Sequence, residues 1–245
     1  LDLVVSNDRP DRKAIYLNDG QGKYRSAGAF GRPEWPARYI TVADLNQDRH
    51  PDIVVANRSG DPARPVSCYV CLNDGKGGFP IEIPLPTQSA TIIVASDLDG
   101  DANLDLLAPH RDGGQGLIFW NDGTGRFASA PMLFGPKNSS VRAASAADLD
   151  GDGIMDFVIG DARTGLFVFR GKGQRTFGEP VPVGERSGAP PYSIGIMDMD
   201  RDGRPDLVVG RQEARGSIFF NQSRGKTLDF KESGWNDGKG TVYGL

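Results

Sequence analysis

An all-β repeat architecture is predicted for this chain, and three observations predict it. A nine-residue acidic pattern is written four times: Asp44-Leu-Asn-Gln-Asp-Arg-His-Pro-Asp52, Asp97-Leu-Asp-Gly-Asp-Ala-Asn-Leu-Asp105, Asp148-Leu-Asp-Gly-Asp-Gly-Ile-Met-Asp156 and Asp198-Met-Asp-Arg-Asp-Gly-Arg-Pro-Asp206. Their starts lie 53, 51 and 50 residues apart, a near-constant period that marks stacked repeats. Each pattern also runs straight into an apolar segment: Ile53-Val-Val, Leu106-Leu-Ala, Phe157-Val-Ile and Leu207-Val-Val, with Leu3-Val-Val at the same phase. These runs have strand length, and no segment carries an apolar period of 3.6. The third observation is a recurring tight turn, at Asn18-Asp-Gly, Asn73-Asp-Gly and Asn121-Asp-Gly, degenerate at Gly171-Lys-Gly and Asn221-Gln-Ser, each followed by an aromatic. Asn-Gly and Asp-Gly steps supply the positive φ that closes hairpins.

The second repeat shows the elements in order. Tyr39-Ile-Thr-Val-Ala43 is predicted as a first strand leading into the acidic loop, and Ile53-Val-Val-Ala56 as the second leaving it. Val66–Leu72 reads as the third strand and Phe79-Pro-Ile-Glu-Ile83 as the fourth. Four short antiparallel strands in about 50 residues are the signature of a β-propeller blade; a linear β-solenoid, with shorter coils, is the alternative. The repeats fall near 1–37, 38–89, 90–141, 142–192 and 193–245, giving one propeller domain or propeller fragment. Asp2 aligns with Asp52, and Thr241–Leu245 aligns with the strand that precedes an acidic loop. The expectation is therefore an excerpt of a larger propeller of the seven-bladed type, with a closed five-bladed ring as the alternative.

Composition sets limits on function. The 33 glycines and 17 prolines, with 24% charged residues, describe a turn-rich globular chain. No apolar run approaches a membrane span. Fifteen of the 32 carboxylates occupy odd positions of the four loops, leaving 17 against 28 Lys and Arg. Four bound divalent cations would carry the formal charge from −4 to about +4. Cys68 and Cys71 stand three apart in a strand, so they face opposite sides and read as two buried small residues rather than a disulfide or shared ligands.

The loops themselves point to a hard cation. Carboxylates at positions 1, 3 and 5 of a tight turn converge, a carbonyl at position 7 and a carboxylate at position 9 complete an oxygen cage, and such a cage suits Ca²⁺. No His or Cys is placed for zinc. An EF-hand needs Glu at position 12, which here is Val55, Ala108, Ile159 or Val209. Position 6 favours a positive φ and is Gly153 and Gly203 in the last two loops, but Arg49 and Ala102 in the first two. With Asn46 also replacing an Asp, the first site is expected to be the weakest and the third the tightest.

Asp-x-Asp-x-Asp-Gly-x-x-Asp followed by an apolar strand every 50 residues resembles the FG-GAP (VCBS-like) repeat of integrin-α-type calcium-binding propellers. The resemblance runs over essentially the whole chain. It implies four Ca²⁺ sites: Asp44, Asn46, Asp48, His50 and Asp52; Asp97, Asp99, Asp101, Asn103 and Asp105; Asp148, Asp150, Asp152, Ile154 and Asp156; and Asp198, Asp200, Asp202, Arg204 and Asp206. In each set the residue at position 7 (His50, Asn103, Ile154, Arg204) lends its carbonyl. Sites of the extracellular kind fill only at about 10⁻⁴–10⁻³ M Ca²⁺, so a secreted or cell-surface location follows as an expectation.

Loops alternate between the two ends of antiparallel strands. The acidic loops and Asn-Asp-Gly turns share one end, and Arg58, Arg64, Arg111, Arg163 and Arg211, with Trp35, Tyr192 and Trp235, gather at the other. The resemblance implies that this second end is the ligand face. Arginine beside exposed aromatics suits an anionic carbohydrate or an acidic protein surface. Two function classes follow: a non-catalytic, calcium-stabilised adhesion or ligand-binding module, and the propeller of a secreted polysaccharide-degrading enzyme such as a lyase. No nucleophile, zinc-hydrolase or phosphate-loop motif is written in the chain. No nucleic-acid partner is expected, because the basic residues are scattered over loops without an aromatic platform, and no membrane insertion is expected without an apolar span.

Overall fold

The computed structural model describes residues 2–8, 11–127, 130–185, 189–225, 227–235 and 238–244. Every regular element among them is a β-strand. The first sheet holds β1 (Leu3–Val5), β2 (Lys13–Asn18) and β3 (Tyr24–Phe30), and the second β4 (Ala37–Ala43), β5 (Asp52–Asn57), β6 (Cys68–Leu72) and β7 (Ile81–Leu85). The third holds β8 (Val94–Ser96), β9 (Asp105–Ala108), β10 (Gly116–Phe119) and β11 (Met132–Phe134), and the fourth β12 (Val141–Ala147), β13 (Asp156–Asp161), β14 (Gly165–Phe169) and β15 (Val181–Val183). The fifth holds β16 (Pro191–Met197), β17 (Asp206–Arg211), β18 (Gly216–Asn221) and β19 (Phe230–Trp235). Each sheet runs its strands in chain order, antiparallel in registers such as Ile53 opposite Cys71 and Leu207 opposite Phe219.

Two compact units are formed, residues 1–95 with 103–134 and residues 96–102 with 135–245. In the first unit, alternation along β5 sends successive apolar side chains to opposite faces. Val54 and Ala56 join Val70, Leu106, Ala108 and Phe119 in one cluster, while Ile53 and Val55 join Phe30, Trp35 and Cys71 in another. The second unit repeats the device: Val158 and Val168 meet Leu207, Val209 and Phe219. A second strand covered on both faces has no place for a polar side chain, which is why it reads as a continuous apolar run. Each fully buried Val or Ile contributes roughly 1.5–3 kcal/mol. Cys68 and Cys71 are buried and unbonded, one in each cluster, as their spacing implies.

Several boundaries differ from the sequence reading. The fourth strand of the second repeat is Ile81–Leu85 rather than 79–83. The Asp74 carboxylate captures the Lys76 and Gly78 amides, the turn extends to Gly78, and Phe79 tips into the apolar cluster, 6.2 Å from the Phe30 ring. The third strand begins at Cys68, not Val66. Thr241–Gly244 forms no strand; Val242 N donates to Arg211 O, and Ser193 Oγ donates to Val242 O. The first strands β4, β12 and β16 each carry a bulge near their start, at Arg38, Arg142 and Tyr192.

The asparagine that opens each turn stitches as well as turns. Asn121 Nδ2 donates to Leu104 O in its own repeat (3.0 Å) and to Leu45 O in the preceding acidic loop (2.7 Å). Asn221 does the same with Pro205 O (3.0 Å) and Leu149 O (2.8 Å). Asn73 donates to Pro51 O (3.0 Å). Position 171 is glycine because a Cβ there would press on the Met155 carbonyl. Replacing Asn121 with alanine leaves two carbonyls without these donors, and urea unfolding should show a loss of about 2–3 kcal/mol, against about 1 kcal/mol for Asn73→Ala.

Candidate metal centres

The four acidic loops share one backbone. Positions 4 and 6 both adopt positive φ: Gln47 and Arg49 (58° and 68°), Gly100 and Ala102 (83° and 69°), Gly151 and Gly153 (77° and 84°), Arg201 and Gly203 (65° and 87°). This doubly left-handed turn points successive amides inward. The first carboxylate accepts the amide of position 6 at 2.9 Å in every loop, through Asp44, Asp97, Asp148 and Asp198. It also accepts the amide of position 5. The third residue accepts that same amide, through Asn46, Asp99, Asp150 and Asp200. The fifth carboxylate accepts the amide of position 7, as Asp48 does from His50, Asp152 from Ile154 and Asp202 from Arg204.

The ninth carboxylate has a different task. Asp52 Oδ2 accepts Leu45 N (2.9 Å) while its Oδ1 accepts Asn73 N (2.8 Å). Asp156 holds Leu149 N and Gly171 N, and Asp206 holds Met199 N and Asn221 N, at 2.7–2.9 Å. Asp105 accepts Asn121 N at 2.9 Å, and Asp2, at the equivalent place, accepts Asn18 N at 2.8 Å. Each ninth Asp of the four loops is buried and ties the loop, or the strand that leaves it, to the end of the third strand. Burial pushes the Asp156 carboxyl up to about 6 and raises Asp52, against the pull of the two amides each receives.

Carboxylate oxygens converge to within 4.8 Å of one another in three loops: Asp97, Asp99 and Asp101; Asp148, Asp150 and Asp156; and Asp198, Asp200 and Asp206. Several carboxylates packed this closely repel one another unless a cation lies among them, and an all-oxygen donor set fits a hard divalent ion. The first loop forms no such trio among the described residues. There Asn46 Nδ2 donates to Asp48 Oδ2 (2.9 Å), an internal hydrogen bond where the other loops present a second negative charge. A cavity of about 340 Å³ in the second unit is lined by Asp97, Asp99, Gly153, Ile154 and Met155, and one of about 530 Å³ by Asp152, Ile154, Arg170, Lys172 and Glu179.

Arginines answer part of the acidic charge, which the sequence reading missed. Arg170 pairs with Asp150, Arg204 with Asp202, and Arg175 Nε with Asp99 Oδ2 at 2.6 Å. Arg175 and its neighbour Gln174 both have positive φ (61° and 52°), the only cue being the degenerate turn that carries them.

At the other end of the strands the expected ligand residues are not equivalent. Trp35 is not exposed: it is buried and stacked on Tyr69 with centroids 4.1 Å apart, and its carbonyl accepts the Lys13 ammonium. Arg211 is also buried, which lowers its pKa; Ala189 O and Ser217 Oγ receive its N–H groups and Glu232 lies 4.0 Å away. Both arise because these positions fill the space between consecutive strands rather than the loop tips. Arg58 is half-buried in an ion pair with Asp112 (2.6 Å), which Ser89 Oγ also reaches. Burial opposes the Asp112 charge, but the bonds from Arg58 and Ser89 hold its carboxyl below the usual range. Arg64 and Arg163 are exposed, whereas Arg111, Tyr192 and Trp235 are partly covered.

Short antiparallel sheets, four of the five with an acidic loop between their first two strands, define blades of the β-propeller class. The sequence profile described as the FG-GAP-like repeat matches residues 1–55, 44–108, 97–159 and 148–209, and the chain belongs to that family. Among solved structures, an Agrocybe aegerita lectin described for specific recognition of non-reducing terminal N-acetylglucosamine aligns with TM-score 0.60 at 18% identity, over 94% of this chain and 65% of its own. The Dos1 propeller aligns with TM-score 0.61 at 10% identity, over 97% and 57%. The Vibrio cholerae biofilm matrix protein Bap1 gives 0.51 at 15%, over 94% and 38%. This chain therefore spans less than two thirds of the length of each. At these identities the likeness is one of fold.

The left-handed backbone at position 6 allows a direct test. Arg49 adopts φ 68° with an exposed side chain. Arg49→Gly removes an αL penalty of about 1 kcal/mol, offset in part by the freer unfolded chain. Chemical denaturation should show a gain of about 0.5 kcal/mol; a loss would mean that the side chain, not the backbone, matters there.

Proposed function

We propose that this chain is a calcium-stabilised, non-catalytic ligand-binding module of a secreted or cell-surface protein, taking an acidic partner at the end of the strands away from the acidic loops. The observation that carries the reading is the set of three carboxylate trios at one phase of the FG-GAP-like repeat. Asp97, Asp99 and Asp101, then Asp148, Asp150 and Asp156, then Asp198, Asp200 and Asp206 are the side chains that would hold the ions, with the carbonyls of Asn103, Ile154 and Arg204 completing the cages. Bound Ca²⁺ supplies positive charge that offsets carboxylate repulsion and the burial of the ninth Asp. The chain's own contribution is the turn: paired left-handed residues and inward amides fix the carboxylates before any ion arrives.

The same ions shift the balance of charge. With the loops neutralised, the remaining basic residues dominate, which favours an anionic partner. The lectin neighbour's sugar recognition lends the carbohydrate class support, at the level of fold alone. No helix of the described residues is long and apolar enough to cross a membrane.

Calorimetric melting with and without calcium tests the reading. At 1–2 mM Ca²⁺ and a Kd near 10⁻⁴ M, each occupied site adds about 1.5 kcal/mol. The melting temperature should climb with Ca²⁺, far less with Mg²⁺, and fall back on chelation; the first loop should fill last. A melting temperature indifferent to Ca²⁺ and chelator would overturn the assignment.

A further inference from the structure

In the second unit, one part-buried guanidinium is stacked on an aromatic ring. Arg142 occupies the bulge at the start of β12, at the strand end opposite the acidic loop. Its Cζ lies 4.6 Å above the centre of the Tyr192 ring, and Tyr192 occupies the matching bulge of β16. The Tyr243 ring, 51 residues further on, packs edge-on against Tyr192 with centroids 5.0 Å apart. Arg142, Tyr192 and Tyr243 are thus one repeat position in three consecutive copies, brought into a single row.

The row is poised rather than satisfied. Arg32, Arg38, Arg58, Arg64, Arg170 and Arg175 each have a carboxylate within 4.0 Å. Arg142 has none among the described residues; its Nη1 donates only to the neutral Gln212 Oε1 at 3.2 Å, and its buried Nε has no hydrogen-bond partner. A guanidinium stacked by its face can turn its Nη groups to a planar anion, while the buried Nε takes no part. Tyr243 remains 76% exposed, presenting a flat apolar ring in the same row.

We infer that Arg142, Tyr192 and Tyr243 form a subsite for one uronic acid residue of an acidic polysaccharide. The inference rests on the reading that this end of the strands is the ligand end. Arg142 takes the sugar carboxylate, and Tyr243 takes the C–H face of the pyranose ring. A carboxylated sugar answers both features, because it carries a planar anion on a ring with an apolar face; a phosphate or an acidic peptide side chain answers the arginine alone. Tyr192 holds the guanidinium in place and acts as the positioning residue.

Titration calorimetry of the whole chain with tetragalacturonate at low salt provides the test, with neutral maltotetraose and a polyglutamate peptide as comparisons. The wild type should bind tetragalacturonate, bind maltotetraose far more weakly, and lose affinity as salt rises. Arg142→Gln should weaken binding about tenfold or more, Arg142→Lys by less, and Tyr243→Ala several-fold. Melting temperatures should stay at the wild-type value, since neither side chain is part of the buried core. Wild-type binding that survives Arg142→Gln and Tyr243→Ala unchanged would overturn this subsite and leave the ligand end standing. Binding of polyglutamate in preference to the uronate would overturn the sugar assignment. A wild type that binds none of the three probes would overturn the subsite and count against the ligand-end reading as well.

Discussion

In three of the repeats the fold depends on one carboxylate that receives two backbone amides. The ninth Asp sits at the seam where the acidic loop becomes the second strand, and in the first, third and fourth loops it binds the loop's second amide with one oxygen and the first amide after the third strand with the other. Those amides leave regular pairing there and would otherwise be buried without acceptors. A charged acceptor makes each bond stronger than a neutral one, and the charge is costly to bury. The upward shift of Asp156 reflects that cost. Two of these ninth residues, Asp156 and Asp206, belong to carboxylate trios that could hold a cation, which would offset it.

The rest of the repeat follows from this arrangement. Fixing the second strand to the end of the third sets the register in which Ile53, Val55 and their counterparts face one way and Val54 and its counterparts the other. The asparagine after the third strand is held by the same Asp through its amide, and its side chain reaches back to the preceding acidic loop. A loop feature that looks devoted to metal is thereby coupled to the packing of successive repeats. Metal affinity and fold stability should be linked through shared residues rather than through separate sites.

Most of the fold was legible because two strong signals repeat in phase: alternating carboxylates, and strands apolar on both faces. Position 6 was legible because its demand for positive φ shows through Gly153 and Gly203, and the structure finds Arg49 and Ala102 paying the same conformational cost. Position 4 shows the same demand through Gly100 and Gly151, which the sequence reading passed over, and Gln47 and Arg201 meet it without glycine. Strand ends were misplaced wherever side chains compete with the ladder, as Asp74 does. Trp35 and Arg211 were misjudged because burial at a strand end or in the loop beside it depends on the neighbouring strands, which periodicity does not reveal. Arg142 was overlooked for a related reason: it lies inside a strand, and only the bulge turns it toward Tyr192.

The central claim is that the ninth Asp is a structural acceptor whether or not a cation is bound. Urea unfolding in excess chelator separates the two roles. Asp206→Asn keeps the size but replaces one acceptor with a donor facing an amide, whereas Asp200→Asn changes an exposed carboxylate with a single long hydrogen bond. Without a divalent cation, the account predicts a loss of about 3 kcal/mol for Asp206→Asn and almost none for Asp200→Asn. Equal stabilities for both variants and the wild type in chelator would contradict it.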